Sequence, residues 1–168
     1  LAETYGSLFQ DRSARIVAID VGMEPDLTTG MTRADLAGGR ITVDLGALVA
    51  NWRMLAGRAE KAATAAVVKG DGYGIGLEAA ARALAEAGCH TFFVALPEEG
   101  IRLRATVHDA TIYVLNGLMP NSAEAYAGAK LRPVLCTWPE IEEWAALRKS
   151  GLNVGSAIHV DTGMNRLG

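Results

Sequence analysis

Short apolar runs and helical stripes alternate along this chain from Arg40 onward, and that alternation restricts the possible folds more than any other feature. Ile41-Thr42-Val43 alternates like a strand. Asp44 stands where it can cap the next helix, in which Leu45, Leu48, Val49, Trp52, Leu55 and Ala56 recur at the helical period. The unit then repeats. Ala65-Ala66-Val67-Val68 reads as a buried strand, and Leu77, Ala80, Ala81, Leu84 and Ala87 form a second apolar stripe closed by Gly88. Thr91–Leu96 is a third strand, followed by Pro97 at a first helical position, with Glu98 and Glu99 at the positive end of the helix dipole. Thr111–Leu115 opens a fourth unit, whose helix runs over about Ser122–Ala127. Pro133-Val134-Leu135 precedes a capping box, Thr137 with Glu140, that starts a helix stopped near Gly151. Ser156–Asp161 is a sixth strand.

Strands separated by helices require a parallel sheet covered by helices, because a crossover of that length returns the chain in the same direction. The fold class is therefore α/β. An eight-fold barrel takes about 250 residues, so six strands make roughly three quarters of one; an open doubly wound sheet would be complete at 168 residues.

The second strand ends in Val67-Val68-Lys69 and runs into Gly70-Asp71-Gly72-Tyr73-Gly74-Ile75-Gly76. A lysine at the mouth of a strand, beside backbone that glycines free to approach a ligand, suits an anionic or carbonyl-bearing small molecule. Dinucleotide binding is excluded, since the third glycine of Gly-x-Gly-x-x-Gly falls on Ile75 or Leu77. A P-loop also fails for want of Gly-Lys-Ser/Thr. What remains is Lys69 at a carboxyl end, where barrels and open sheets alike place their chemistry.

A net charge of −3 and the lack of a Lys/Arg cluster argue against a nucleic-acid partner. No apolar run approaches the roughly 18–20 residues that cross a bilayer, and the start lacks a signal-like core, so no membrane is expected and the expected location is cytoplasmic. Cys89 and Cys136 lie far apart without Cys-x-x-Cys spacing and are expected to be buried small hydrophobes in a reducing compartment. His159 and Asp161 share a strand face, but two ligands without a third do not make a metal site. His90 reads as a helix-end residue and His108 as a turn residue. Residues 1–39, with one apolar run at Ile16–Val21, read as an N-terminal extension or linker. The chain opens without Met and stops after a strand-like segment, as a piece of something longer would.

Val67-Val68-Lys69 with Tyr73-Gly74 and Gly76, together with His159-Val160-Asp161-Thr162-Gly163-Met164-Asn165-Arg166-Leu167-Gly168, resembles the N-terminal barrel of alanine racemase. The similarity runs from about Arg40 to Gly168 and covers only part of the family's length. The resemblance implies a pyridoxal-phosphate enzyme with a (β/α)8 TIM-type barrel, incomplete here at about six units and lacking the C-terminal β-domain. It implies a homodimer that interconverts L- and D-alanine and supplies D-alanine for cell-wall peptidoglycan.

On that resemblance Lys69 holds the cofactor as a Schiff base and acts as one acid–base group. Tyr73 hydrogen-bonds the cofactor phosphate, Arg166 meets the phenolic oxygen and the substrate carboxylate, and Leu115 lines the cofactor. His159 replaces a lysine that many members carbamylate, so His159, or an anion near it, is expected to support Arg166. The family commonly has Ala-Asn-Ala or Ala-Asp-Ala where this chain has Gly70-Asp71-Gly72. The second acid–base group, a tyrosine of the β-domain, matches none of Tyr5, Tyr73, Tyr113 and Tyr126, so this chain alone is expected to be inactive. Two other readings share the lysine: a cofactor carrier without turnover, and a basic-amino-acid decarboxylase of the same barrel type.

Overall fold

The computed structural model describes residues 42–151 and 153–168; the extension read over residues 1–39, and Ile41, lie outside the described residues. Helix α1 (Leu45–Arg58) starts where expected, with the Asp44 carboxylate accepting the Ala47 N–H at 2.9 Å. Then follow β1 (Ala66–Val67), α2 (Leu77–Glu86), β2 (Thr91–Val94), α3 (Pro97–Thr106), β3 (Thr111–Val114), α4 (Ala123–Gly128), β4 (Leu131–Leu135), α5 (Trp138–Lys149) and β5 (Ala157–Ile158). Five strands form one sheet in the order β1-β2-β3-β4-β5, every neighbouring pair parallel. The order never reverses among the described strands. A doubly wound sheet needs such a reversal, so these strands follow the other alternative.

Two expectations about strands change. The first expected strand contributes only isolated bridges at Thr42 and Val43, and the last is paired over Ala157–Ile158 alone. Alternation places Phe92, Val94, Ile112, Val114 and Leu131 under the helices, where they meet Leu77, Ala81, Leu84, Leu103 and Trp144 in one core. In α2, Leu77, Ala80, Ala81 and Leu84 of the stripe are fully covered, as their spacing requires, while Ala87 follows the helix as its half-buried cap. In α1 the stripe is covered only in part, for Leu48, Val49 and Trp52 pack on the core while Leu55 is exposed.

The opposite face of the sheet carries Val67, Phe93, Tyr113 and Arg132 in register across β1 to β4. Phe93 stacks on Tyr113, and the Arg132 guanidinium lies 5.7 Å from the Tyr113 ring centroid. Among the described residues no helix covers this face, and Val67 is 47% exposed.

Glutamates at the third position of two helices tie strand ends together. The expected capping box at Thr137 does not form: the Thr137 side chain makes no cap bond, and the Glu140 carboxylate instead accepts the Cys136 N–H at 2.7 Å. The carboxylate there reaches Cys136, the residue between β4 and the cap. After β2, Glu99 accepts both from the residue before the cap, Ala95, at 2.8 Å and from the cap Leu96 at 3.2 Å.

Candidate active site

Because the strands are parallel, their carboxyl ends lie along one edge, and Lys69, Leu115, Cys136 and His159 all follow strands there. Ladder bonds continue past the strand ends: Val68 donates to Phe93 O at 2.9 Å, Leu115 to Val94 O at 2.9 Å, and His159 to Leu135 O at 2.8 Å. Alternation from Val67, Tyr113 and Ala157 puts Lys69, Leu115 and His159 on the uncovered face, one layer above the Phe93–Tyr113–Arg132 row. Each of the three is half-buried.

After Lys69 the chain winds left-handed. Gly70, Asp71, Gly72, Tyr73 and Gly74 have φ of 63°, 53°, 64°, 56° and 85°. Such a run costs an L-residue about 1–2 kcal/mol per position, and glycine at alternate places removes most of that cost. The glycines were expected to offer backbone to a ligand, but the turn uses most of their N–H groups itself. Gly72 donates to Val68 O at 2.8 Å, Gly74 to Gly70 O at 3.0 Å, and Gly76 to Asp71 O at 2.9 Å. Gly70 donates to the Glu99 carboxylate at 2.6 Å. Outward, the turn presents the Tyr73 ring, 68% exposed, whose hydroxyl makes no hydrogen bond among the described residues.

Helix α3 grips the turn from outside. Its Arg102 donates to Asp71 Oδ1 at 3.1 Å and to both Glu78 oxygens, while Asp71 Oδ1 also accepts the Leu77 N–H at 3.2 Å. Partial burial pushes the Glu99 carboxyl up, yet the N–H groups of Ala95, Leu96, Gly70 and Asp71 outweigh it and hold the group below its ordinary value. The sequence placed Glu99 at a helix start for the dipole alone. The signal for its wider role is a glutamate at the third position of a helix that directly follows a strand, within reach of the neighbouring glycine turn.

Beyond β5 the Asp161 carboxylate accepts the N–H groups of Gly163 at 3.0 Å, Met164 at 2.8 Å and Asn165 at 3.0 Å. These bonds hold the carboxyl below its ordinary value. The loop doubles back so far that a Cβ on Gly168 would stand 2.6 Å from His159 Cδ2. Arg166 is carried on this loop, exposed, and has no hydrogen-bond or ion-pair partner among the described residues. The support expected for Arg166 from His159 is therefore not formed. The His159 ring lies against Gly168 instead.

The two cysteines and the other two histidines lie as follows. Cys89 is buried and burial pushes its thiol up; Cys136 is only half-buried, at the end of β4, and is also pushed up, by burial and then by Glu140. His90 and His108 line a shallow cavity with Arg82, Glu86 and Asp109 at the opposite ends of the strands. Among the described residues no three His, Cys, Asp or Glu side chains form a metal-binding group, and no helix is long and apolar enough to cross a membrane.

These features define an α/β protein with a lysine and an exposed arginine at the carboxyl edge of a parallel sheet, a place where such folds bind small molecules. Residues 43–168 match the family model described as alanine racemase, N-terminal domain. The alanine racemase of Methylobacterium nodulans is 56% identical over 139 residues, 82% of this chain and 38% of its own length. The catabolic alanine racemase of Agrobacterium fabrum is 45% identical over 134 residues, 79% of this chain and 34% of its own. Among solved structures, alanine racemase from Bartonella henselae with covalently bound pyridoxal phosphate superposes with a TM-score of 0.71 at 41% identity, covering 74% of this chain and 35% of that one. Histidine racemase from Leuconostoc mesenteroides superposes with a TM-score of 0.67 at 28% identity, covering 74% and 34%.

The chain belongs to the alanine racemase N-terminal domain family. It spans little more than a third of the length of the curated relatives it matches.

Proposed function

We propose that this chain forms the cofactor-holding part of a pyridoxal-phosphate-dependent alanine racemase. The observation that carries this reading is Lys69 at the end of β1 on the uncovered face, in a chain of this family. The strands would be one wall of a (β/α)8 barrel, with residues 40–168 as the partial barrel domain and 1–39 as an extension. The enzyme would work as a cytoplasmic homodimer on alanine, serving D-alanine supply for peptidoglycan.

The residues present fit the cofactor. A primary amine stands at a strand end, an unbonded tyrosine hydroxyl projects from the turn beside it, and Leu115 supplies an apolar wall on the same edge. When bound, pyridoxal phosphate supplies the electron sink that makes an amino acid's α-proton removable. Lys69 would attach covalently through Nζ and move a proton on one face of the substrate. Its amine must be neutral to attack a carbonyl. The Tyr73 hydroxyl would donate to the phosphate, and the Arg166 guanidinium would take the phenolic oxygen or the substrate carboxylate. His159 would line the site beneath Arg166.

A proton donor for the other face is not supplied by Tyr126, whose buried hydroxyl donates to Gly117 O at 3.0 Å and is pushed up to about 12 by burial, then by Glu140 and Glu98. That group would come from beyond this chain, and the chain alone would be inactive.

The test uses the full-length protein. Lys69 Nζ condenses with the cofactor aldehyde, water leaves, and hydride from borohydride fixes the link as a secondary amine, which peptide mapping then locates. Label at Lys69 and conversion of L- to D-alanine are expected. Label at Lys61, Lys130 or Lys149 instead, or none in a folded sample, overturns the assignment. Label at Lys69 without conversion of alanine favours the carrier reading.

A further inference from the structure

We propose that Glu99 is a positioning residue for Lys69, with Arg102 as its second point of attachment; this rests on the role of Lys69 given above. Gly70 N and the Lys69 carbonyl belong to one peptide plane, so whatever holds that N–H sets the direction in which the chain leaves Lys69. The N–H is held by Glu99 Oε1 at 2.6 Å and by no other described group. The second oxygen, Oε2, holds Ala95 and Leu96 at the end of β2. One carboxylate thus fixes the ends of two adjacent strands against each other, and one of them carries the reactive amine.

Three features separate this from ordinary helix capping. First, a capping glutamate acts within its own helix and loop, whereas Glu99 reaches 29 residues back. Second, Arg102, one helical turn on, engages Asp71 of the same turn, so the left-handed segment is held at successive residues from one side. Third, Glu140 after β4 makes the matching bond to Cys136, yet only packs on the Cα of Gly117, where an added Cβ would stand 2.9 Å from its Oε1. The cross-strand hydrogen bond is present at Lys69 and absent there. Of the hydrogen bonds that Glu99 accepts, the one from the Gly70 N–H is its link to Lys69.

Glu99→Gln in the full-length protein tests this, with Glu143→Gln as control. Glu143 likewise accepts two loop N–H groups, from Asn121 and Ala123, but away from Lys69. In Glu99→Gln the Gly70 amide should exchange with deuterium about tenfold faster before any cofactor is added. The pyridoxal phosphate concentration that half-labels Lys69 under borohydride should rise about tenfold, with labelling of other lysines unchanged. Glu143→Gln should leave both within twofold while lowering the melting temperature comparably. Glu99→Gln with wild-type Gly70 exchange and wild-type labelling, or a Glu143→Gln that lowers Lys69 labelling equally, overturns the proposal. A wild-type protein unlabelled at Lys69 sinks the functional reading instead, and Gly70 exchange then decides alone whether Glu99 holds the turn.

Discussion

Phe93 on β2 and Tyr113 on β3 stack with ring centroids 5.1 Å apart and planes 17° from parallel. With Arg132 over the far side of Tyr113, they form a row one layer beneath Lys69. Tyr113→Ala loses both ring contacts and should cost about 1–3 kcal/mol. Tyr113→Phe, which keeps the ring and forfeits only a long contact from Arg132, should stay within about 1 kcal/mol. Urea unfolding of the two variants checks the difference, and equal losses would show that the stack contributes little.

Two glycines should respond to alanine for different reasons. Gly70 has φ of 63° with open space around its absent Cβ, so Gly70→Ala carries only the left-handed penalty, about 1 kcal/mol. Gly100 on α3 has ordinary helical backbone, but its Cβ would stand 2.9 Å from both methyls of fully buried Leu131. Gly100→Ala must push the core aside and should cost about 1–3 kcal/mol. Denaturant midpoints that rank Gly70→Ala as the more damaging change would contradict this.

The Asp161 loop should be acid-sensitive. The Gly163, Asn165 and Met164 N–H groups hold the folded carboxyl below its unfolded value, so its contribution is present above the unfolded pKa, about 3.9, and is lost as pH falls through the folded pKa. Amide exchange of Gly163 and Met164 should stay slow from neutral pH to about pH 4 and quicken below it, relative to intrinsic rates. Asp161→Asn should remove that acid transition. A transition near neutrality would contradict this.

Much of the architecture was legible because it follows from local periodicity. The stripe Leu77, Ala80, Ala81 and Leu84 can bury only one helix face, and Asp44 can cap only the helix after it, so both behave as their spacing requires. The Thr137–Glu140 pair was less legible, because the motif names two residues while the competing donor, Cys136 N–H, is presented by the strand before them. Likewise the glycines after Lys69 mark unusual backbone, but not its handedness or the use of its own N–H groups.

The sequence by itself determined an α/β chain with a lysine at a strand end, since strand and helix periods and glycine placement are properties of neighbours along the chain. Tertiary structure decided what surrounds that lysine. The Glu99–Gly70 bond spans 29 residues, and the Phe93–Tyr113–Arg132 row depends on the register of three strands. Neither can be read from local pattern, because each exists only once parallel pairing has brought distant segments into contact.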